Sequence, residues 1–268
     1  MKARIALAFV AAAVWISSAS PSQAWPSTLR QPILRDARRL LPRSLAAVMS
    51  RREPAINEAA DRLPNEITEA VANDLMTGRV GPGTITVVSR ELDAILVLLR
   101  TRHVGEGLVR LGALGRVAAD MCDPALTPGA STWPPQLSPE YYAFVEAQLP
   151  EIPLVLQDEG MLQLRRHELP SRWQVMLDES RARAADLPAA MVQGGRVVSY
   201  QTLDFRSPAF SVASLSYSRA VTSVAALWLV VWREARGDFG RQKSPHLIVP
   251  RDRGLQQGTR PSPGLRWQ

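Results

Sequence analysis

The sequence has very few of the residues that cross-link chains or bind metals. Cys122 is the only cysteine in 268 residues, which excludes a disulfide within the chain and any paired-cysteine site. Stability must therefore come from packing or from a metal, and we expect Cys122 to be a small buried apolar residue. The three histidines, His103, His167 and His246, lie far apart and form no spaced set of ligands.

Several standard catalytic motifs are also missing. The sequence contains no Gly-x-Ser-x-Gly nucleophile turn, no phosphate-binding loop and no His-Glu-x-x-His zinc motif. No common motif therefore assigns an activity to the chain.

No uncharged apolar run in the sequence reaches the length that a bilayer needs. Residues 5–16 form a run of 12 and residues 220–232 a run of 13, whereas a bilayer needs roughly 20. The first run follows a basic start and precedes the small residues Ser22 and Ala24, which is the pattern of an export signal. We expect a signal peptide over residues 1–24 that is cleaved after Ala24, and an exported protein, periplasmic or secreted, with no transmembrane helix. An uncleaved anchor is the alternative.

Positive charge is concentrated near the C-terminus. The net charge is +7, and beyond residue 238 six basic residues face one acid, Asp252. We expect residues 239–268 to be a basic, disordered tail rich in proline and glycine. Weak binding of this tail to nucleic acid or anionic lipid is the alternative, and no other part of the chain is expected to bind nucleic acid.

The remaining chain, residues 25–238, has the apolar periodicity of helices almost throughout. We predict an all-α, single multi-helix domain, with one short β-hairpin near residues 194–205, where a Gly-Gly pair precedes β-branched residues. Helices are expected to start near Pro32 and at Ser89. The helical segment over residues 55–78 is expected to break near Pro64 and to end at Gly78. Three glycines within the predicted helix 105–124 indicate very close packing or a helix that lines a site.

One segment of this helix resembles a known metal site. Residues 111–126 begin with Leu-Gly, carry Arg116 and Asp120 four residues apart, and end with a proline two residues before Leu126. The zinc-dependent phospholipase C and single-strand nuclease superfamily has Leu-Gly, then His-x-x-x-Asp, then a proline two residues before a second histidine. Residues four apart lie side by side on a helix, as ligands of a shared metal must.

The resemblance implies a fold and a set of ligands. Members of this superfamily begin their mature chains on a tryptophan whose free amine and carbonyl oxygen bind zinc, and cleavage after Ala24 places Trp25 there. A later helix carries His-x-x-x-Glu, and Tyr142 and Glu146 have this spacing. The resemblance therefore implies the helical fold of that superfamily, the metal ligands Trp25, Asp120 and Glu146, and Asp120 as the candidate catalytic residue.

The departures from the pattern indicate a lost metal site. Arg30, Arg116, Leu126 and Tyr142 stand where the resemblance expects histidines. A guanidinium stays protonated and is not a metal ligand, so Arg116 favours an ion pair with Asp120 in place of a cation. An ordinary exposed pair four residues apart is the alternative.

Three functions are compatible with these patterns. We expect a degenerate, non-catalytic member of the superfamily that needs no cofactor and binds a ligand or a protein partner, with a phosphate-containing molecule as the candidate ligand. The first alternative is an active zinc-dependent phosphodiester hydrolase, of phospholipase C or nuclease type, with a reduced site. The second is a helical scaffold unrelated to the superfamily.

Overall fold

A computed structural model describes residues 24–101, 103–156, 159–237 and 248–249 of the chain. Helices dominate these residues, which confirms the all-α prediction. The helices are α1 (Ser27–Ala37), α2 (Arg43–Ser50), α3 (Glu53–Asp61), α4 (Asn65–Thr77), α5 (Pro82–Arg100), α6 (Val104–Asp120), α7 (Leu137–Gln148), α8 (Leu169–Ala184), α9 (Asp186–Met191) and α10 (Pro208–Glu234).

The predicted starts and ends of the helices are correct only in part. The chain breaks between α3 and α4 near Pro64, and Gly78 ends α4 in the left-handed conformation with φ of 69°, both as predicted. The predicted starts near Pro32 and at Ser89 are wrong. Helix α5 begins at Pro82, whose missing N–H costs nothing in a first turn, and α1 begins at Ser27.

Helix α6 lies at the centre of the fold. Helices α1, α3, α5 and α10 pack around it, and every residue from Leu111 to Asp120 is buried. Its glycines admit these neighbours: Gly112 faces Ile56 of α3, and Gly115 faces Trp228 of α10. The Trp228 indole N–H also donates to the Leu111 carbonyl oxygen of α6 at 2.8 Å. Close packing therefore explains these two glycines.

Helix α10 is the longest of the described helices, with 27 residues. Within the described part of the chain it alone is long and apolar enough to cross a membrane, and 83% of its most apolar stretch is buried inside the fold. The Tyr217 hydroxyl of α10 donates to the buried Asp36 carboxylate of α1 at 2.9 Å. Cys122 lies against the same helix, with its sulfur 3.4 Å from Ser223 Oγ, and is buried as expected.

Two short antiparallel strand pairs complete the described structure. Strands β2 (Val192–Gln193) and β3 (Arg196–Val197) form the predicted hairpin, slightly earlier in the chain than expected, around Gly194 and Gly195 with positive φ. Strand β1 (Leu154–Val155) pairs with β4 (Ile248–Val249), a pairing that was not predicted. The predicted signal peptide up to residue 23, and the rest of the predicted tail, lie outside the described residues.

The close approach at Gly112 generates a stability prediction. An alanine Cβ at this position would lie 2.6 Å from Ile56 Cγ2, so we expect Gly112→Ala to lower the free energy of unfolding by about 1–3 kcal/mol. The matched control is Gly83→Ala, in the first turn of α5, where a Cβ meets nothing within 4 Å. Urea denaturation measures both variants, and equal stability of the two would contradict the packing described.

Candidate functional site

Trp25 is the residue around which the candidate site is built. Its side chain is 0% exposed, and its indole N–H donates to the Ala119 carbonyl oxygen at 3.0 Å. Its backbone nitrogen donates to Asp123 Oδ2 at 2.8 Å, and its carbonyl oxygen accepts a hydrogen bond from Arg30 Nη1 at 3.2 Å. A carboxylate and a guanidinium therefore hold the two backbone groups that the resemblance assigns to zinc.

The local sequence brings these partners to Trp25. Pro26 follows in an extended conformation and caps α1. Arg30 lies in the first turn of α1, and helical side chains lean toward the N-terminus, so its guanidinium reaches back to the Trp25 carbonyl oxygen. Asp123 lies just past the end of α6, in a turn that its own carboxylate closes by accepting the Ala125 N–H at 2.9 Å.

Asp123 is a buried carboxylate that accepts three hydrogen bonds. It is 1% exposed, and its donors are the Trp25 and Ala125 backbone N–H groups and the Tyr142 hydroxyl, which is 2.8 Å from Oδ2. Burial raises the pKa of Asp123 to about 6, against the effect of these hydrogen bonds. Burial and the Asp123 charge raise the pKa of Tyr142 above its usual value, which keeps the phenol protonated as a donor.

Arg116 and Asp120 form a buried ion pair on the last turns of α6. Arg116 Nε lies 3.3 Å from Asp120 Oδ2, and the two side chains are only 9% and 7% exposed. Arg116 Nη1 also donates to the Ala60 carbonyl oxygen of α3 at 2.9 Å. The predicted pair is therefore present, and the alternative of an ordinary exposed pair is wrong.

Asp120 keeps one oxygen without a partner. Its Oδ1 is buried and accepts no hydrogen bond from the described residues. Burial raises the pKa of Asp120 to about 7, although the charges of Arg116 and Arg30 oppose this shift. Near neutral pH this carboxyl group can therefore either accept a hydrogen bond or donate one.

Arg30 connects the Trp25 contacts to Asp61. The buried Arg30 guanidinium forms an ion pair with the partly exposed Asp61 carboxylate at the end of α3. Sequence reasoning missed both Asp61 and Asp123. Asp123 stands three residues after Asp120 and could have been found by asking which carboxylates follow the end of α6, whereas Asp61 belongs to no motif.

A cavity of about 220 Å³ opens beside the ion pairs. We call it the Asp120 cavity: its polar lining is Asp61, Asn65, Thr68, Arg116 and Asp120, and its apolar lining comes mainly from α4. Two further residues, Leu126 and Ala24, also line it.

The structure brings six of the seven predicted site residues together. Hydrogen bonds and contacts join Trp25, Arg30 and Tyr142 around Asp123, and Arg116, Asp120 and Leu126 line the adjoining cavity. The seventh, Glu146, is exposed on α7 one turn beyond Tyr142, and no hydrogen bond joins it to the described residues of the cluster. Its predicted role as a ligand stays a prediction.

The carboxylates of this cluster are engaged by other groups of the protein. Zinc sites in proteins use three or four side chains of histidine, cysteine, aspartate or glutamate. Within the described part of the chain no group of three such side chains is placed to hold a metal. Asp61 and Asp120 pair with arginines instead, and Asp123 accepts three hydrogen bonds.

No family model, curated protein or solved structure matches this chain. The superfamily resemblance therefore depends on the sequence pattern alone.

The raised pKa of Asp120 generates a pH prediction. The folded pKa is about 7 and the ordinary value is 3.8, so between these pH values the folded protein holds a proton that the unfolded chain releases. Stability from this group is therefore lost as the pH rises from about 4 to 7. We expect the unfolding free energy of the wild type, relative to that of Asp120→Asn, to fall as the pH rises through this range.

Urea denaturation at several pH values measures this difference. Asp93→Asn is the control, because a hydrogen bond from Arg166 lowers the pKa of Asp93 and its contribution is lost as the pH falls. The burial of an ionisable Asp120 would be contradicted if the difference in unfolding free energy between the wild type and Asp120→Asn stayed constant between pH 4 and 7.

Proposed function

We propose that this chain is an exported, non-catalytic helical protein of the zinc-dependent phospholipase C and nuclease type, which binds a ligand in the Asp120 cavity. The proposal rests on one observation, the hydrogen bonds that Asp123 and Arg30 form with the Trp25 backbone. Six of the seven positions that the resemblance assigns to the metal site, all but Glu146, meet around this contact or line the adjoining cavity, and ion pairs and hydrogen bonds engage their polar groups.

The chemistry of these side chains supports a loss of catalysis. Metal-dependent hydrolysis of a phosphodiester needs ions that activate water and neutralise charge on the phosphate. Arg30 and Arg116 supply positive charge but cannot activate water, because a guanidinium stays protonated. Their charges are also engaged by Asp61 and Asp120.

The polar lining of the cavity favours a phosphate-containing ligand. Arg116 bonds through Nε and Nη1, and no described residue accepts a hydrogen bond from Nη2. Asp120, whose buried Oδ1 accepts no hydrogen bond from the described residues, lines the same cavity. A phosphate monoanion offers an acceptor oxygen to a guanidinium and a P–OH group to a carboxylate. The apolar lining from α4 fits a ligand with a short apolar portion.

Metal content and hydrolysis test the loss of catalysis. We expect protein exported with its own signal to contain no stoichiometric zinc and to show no chelator-sensitive hydrolysis of bis(p-nitrophenyl) phosphate. Elemental analysis and an absorbance assay, each repeated after incubation with zinc, measure the two properties. Two or three zinc ions per chain together with chelator-sensitive turnover would contradict the non-catalytic proposal and favour an active zinc-dependent phosphodiester hydrolase.

Phosphate binding tests the ligand class. Calorimetry with inorganic phosphate and with a short-chain alkyl phosphate should detect binding, and Arg116→Gln should weaken it by about tenfold or more through loss of a charge-assisted hydrogen bond. Arg110→Gln is the matched control, because Arg110 lies on the same helix but pairs with Glu91 at 2.6–2.8 Å outside the cavity. Equal affinity in the two folded variants, or no binding to the wild type, would contradict a phosphate site at Arg116.

A further inference from the structure

The predicted cleavage site lies inside the folded protein. Ala24 is 3% exposed and Trp25 is 0% exposed, so a peptidase cannot reach the bond between them once the fold has formed. Cleavage at this bond must therefore precede folding, while the chain is still extended. The mature N-terminus would then enter its buried position as the fold closes.

We propose that cleavage after Ala24 gives Trp25 a free α-ammonium group and that the Asp123 carboxylate binds this group. The resulting ion pair stabilises the mature fold. In the cleavage, a signal peptidase adds water across the Ala24–Trp25 peptide bond. Ala24 leaves with the new carboxylate, and Trp25 keeps the nitrogen as a protonated amine. The inference rests on the export that forms part of the proposed function.

Asp123 is a buried carboxylate without a cationic partner among the described residues. It forms no ion pair with the described residues, and its three donors are neutral groups in the uncleaved chain. The neighbouring arginines pair elsewhere: Arg30 with Asp61, and Arg116 with Asp120. A buried carboxylate without a counter-ion is costly, and a cationic donor makes a stronger hydrogen bond than a neutral one.

The position of the Trp25 nitrogen meets the geometric requirement. It already lies 2.8 Å from Asp123 Oδ2, which is hydrogen-bond distance for an ammonium group as well as for an amide. The indole bond to Ala119 and the Arg30 bond to the Trp25 carbonyl oxygen hold the residue in place without help from Ala24. Cleavage therefore changes the charge of the donor and leaves its position the same.

Removal of Ala24 also changes the Asp120 cavity. Ala24 lines this cavity in the uncleaved chain, so its departure enlarges the space beside Arg116 and Asp120. Only the cleaved chain therefore has both the full stability of the fold and the full binding site.

A thermodynamic cycle tests the ion pair. Four proteins are compared by urea denaturation. Two are wild type: the mature chain that starts at Trp25, and a form that carries Gly-Ser-Ala24 before Trp25. The other two are the same chains with Asp123→Asn. The extension should lower the folding equilibrium constant of the wild type by about tenfold or more, and that of Asp123→Asn by much less. Packing of Ala24 is the same in both backgrounds and cancels. An equal effect in the two backgrounds would overturn the inference.

Amine labelling gives a second test that needs only the wild-type mature chain. The chain has two lysines, Lys2 and Lys243, so after cleavage the α-amine and Lys243 are its only primary amines. We expect an amine-reactive acylating reagent to modify the Trp25 amine at least about tenfold more slowly in native than in denatured protein, because the amine is buried and paired. Equal rates would overturn the inference.

The two proposals fail separately. An exported protein whose intact mass shows a start other than Trp25 would overturn the inference about Asp123 and would leave phosphate binding at Arg116 unaffected. Stoichiometric zinc together with chelator-sensitive hydrolysis in the same samples would instead overturn the non-catalytic proposal.

Discussion

The structure of the candidate site depends on how the backbone of Trp25 is held. Its backbone nitrogen donates a hydrogen bond to Asp123 and its carbonyl oxygen accepts one from Arg30. Its indole N–H donates to the Ala119 carbonyl oxygen near the end of α6. These contacts tie the start of α1 to the turn after α6, the central helix of the fold. If they broke, a fully buried tryptophan would have to leave the core, and Arg30 and Asp123 would lose partners at the same time. The cluster therefore behaves as one unit.

The second feature of the site is the way in which its buried charges are paired. Two buried arginines and three carboxylates lie around Trp25, and each arginine pairs with one carboxylate. Replacing one partner of a buried pair leaves an uncompensated charge, whereas replacing a whole set of ligands together keeps the charges balanced. Under the proposed function, coordinated replacement explains why arginine stands at two positions where the resemblance expects histidine, while Asp120 is kept. Asp120 Oδ1 is a buried acceptor without a partner among the described residues.

Sequence reasoning reached much of the fold because the signals involved are local. Helical periodicity, the break at Pro64 and the end of α4 at Gly78 all follow from the preferences of neighbouring residues. The spacing of Arg116 and Asp120 predicts their ion pair because residues four apart share a helix face. Asp61 was missed because it reaches Arg30 from another helix, 31 residues away. The pairing of Val155 with Ile248 was missed for the same reason, since tertiary packing decides such contacts.

The most direct measurement of the central claim is an anomalous-difference map at the zinc absorption edge, from crystals of the mature protein grown with zinc. We expect no anomalous peak near Trp25 and Asp120, and the Asp123 carboxylate within hydrogen-bond distance of the Trp25 nitrogen. A peak about 2.0–2.2 Å from both the Trp25 nitrogen and an Asp120 oxygen would show a metal site and would contradict the replacement of the metal by ion pairs.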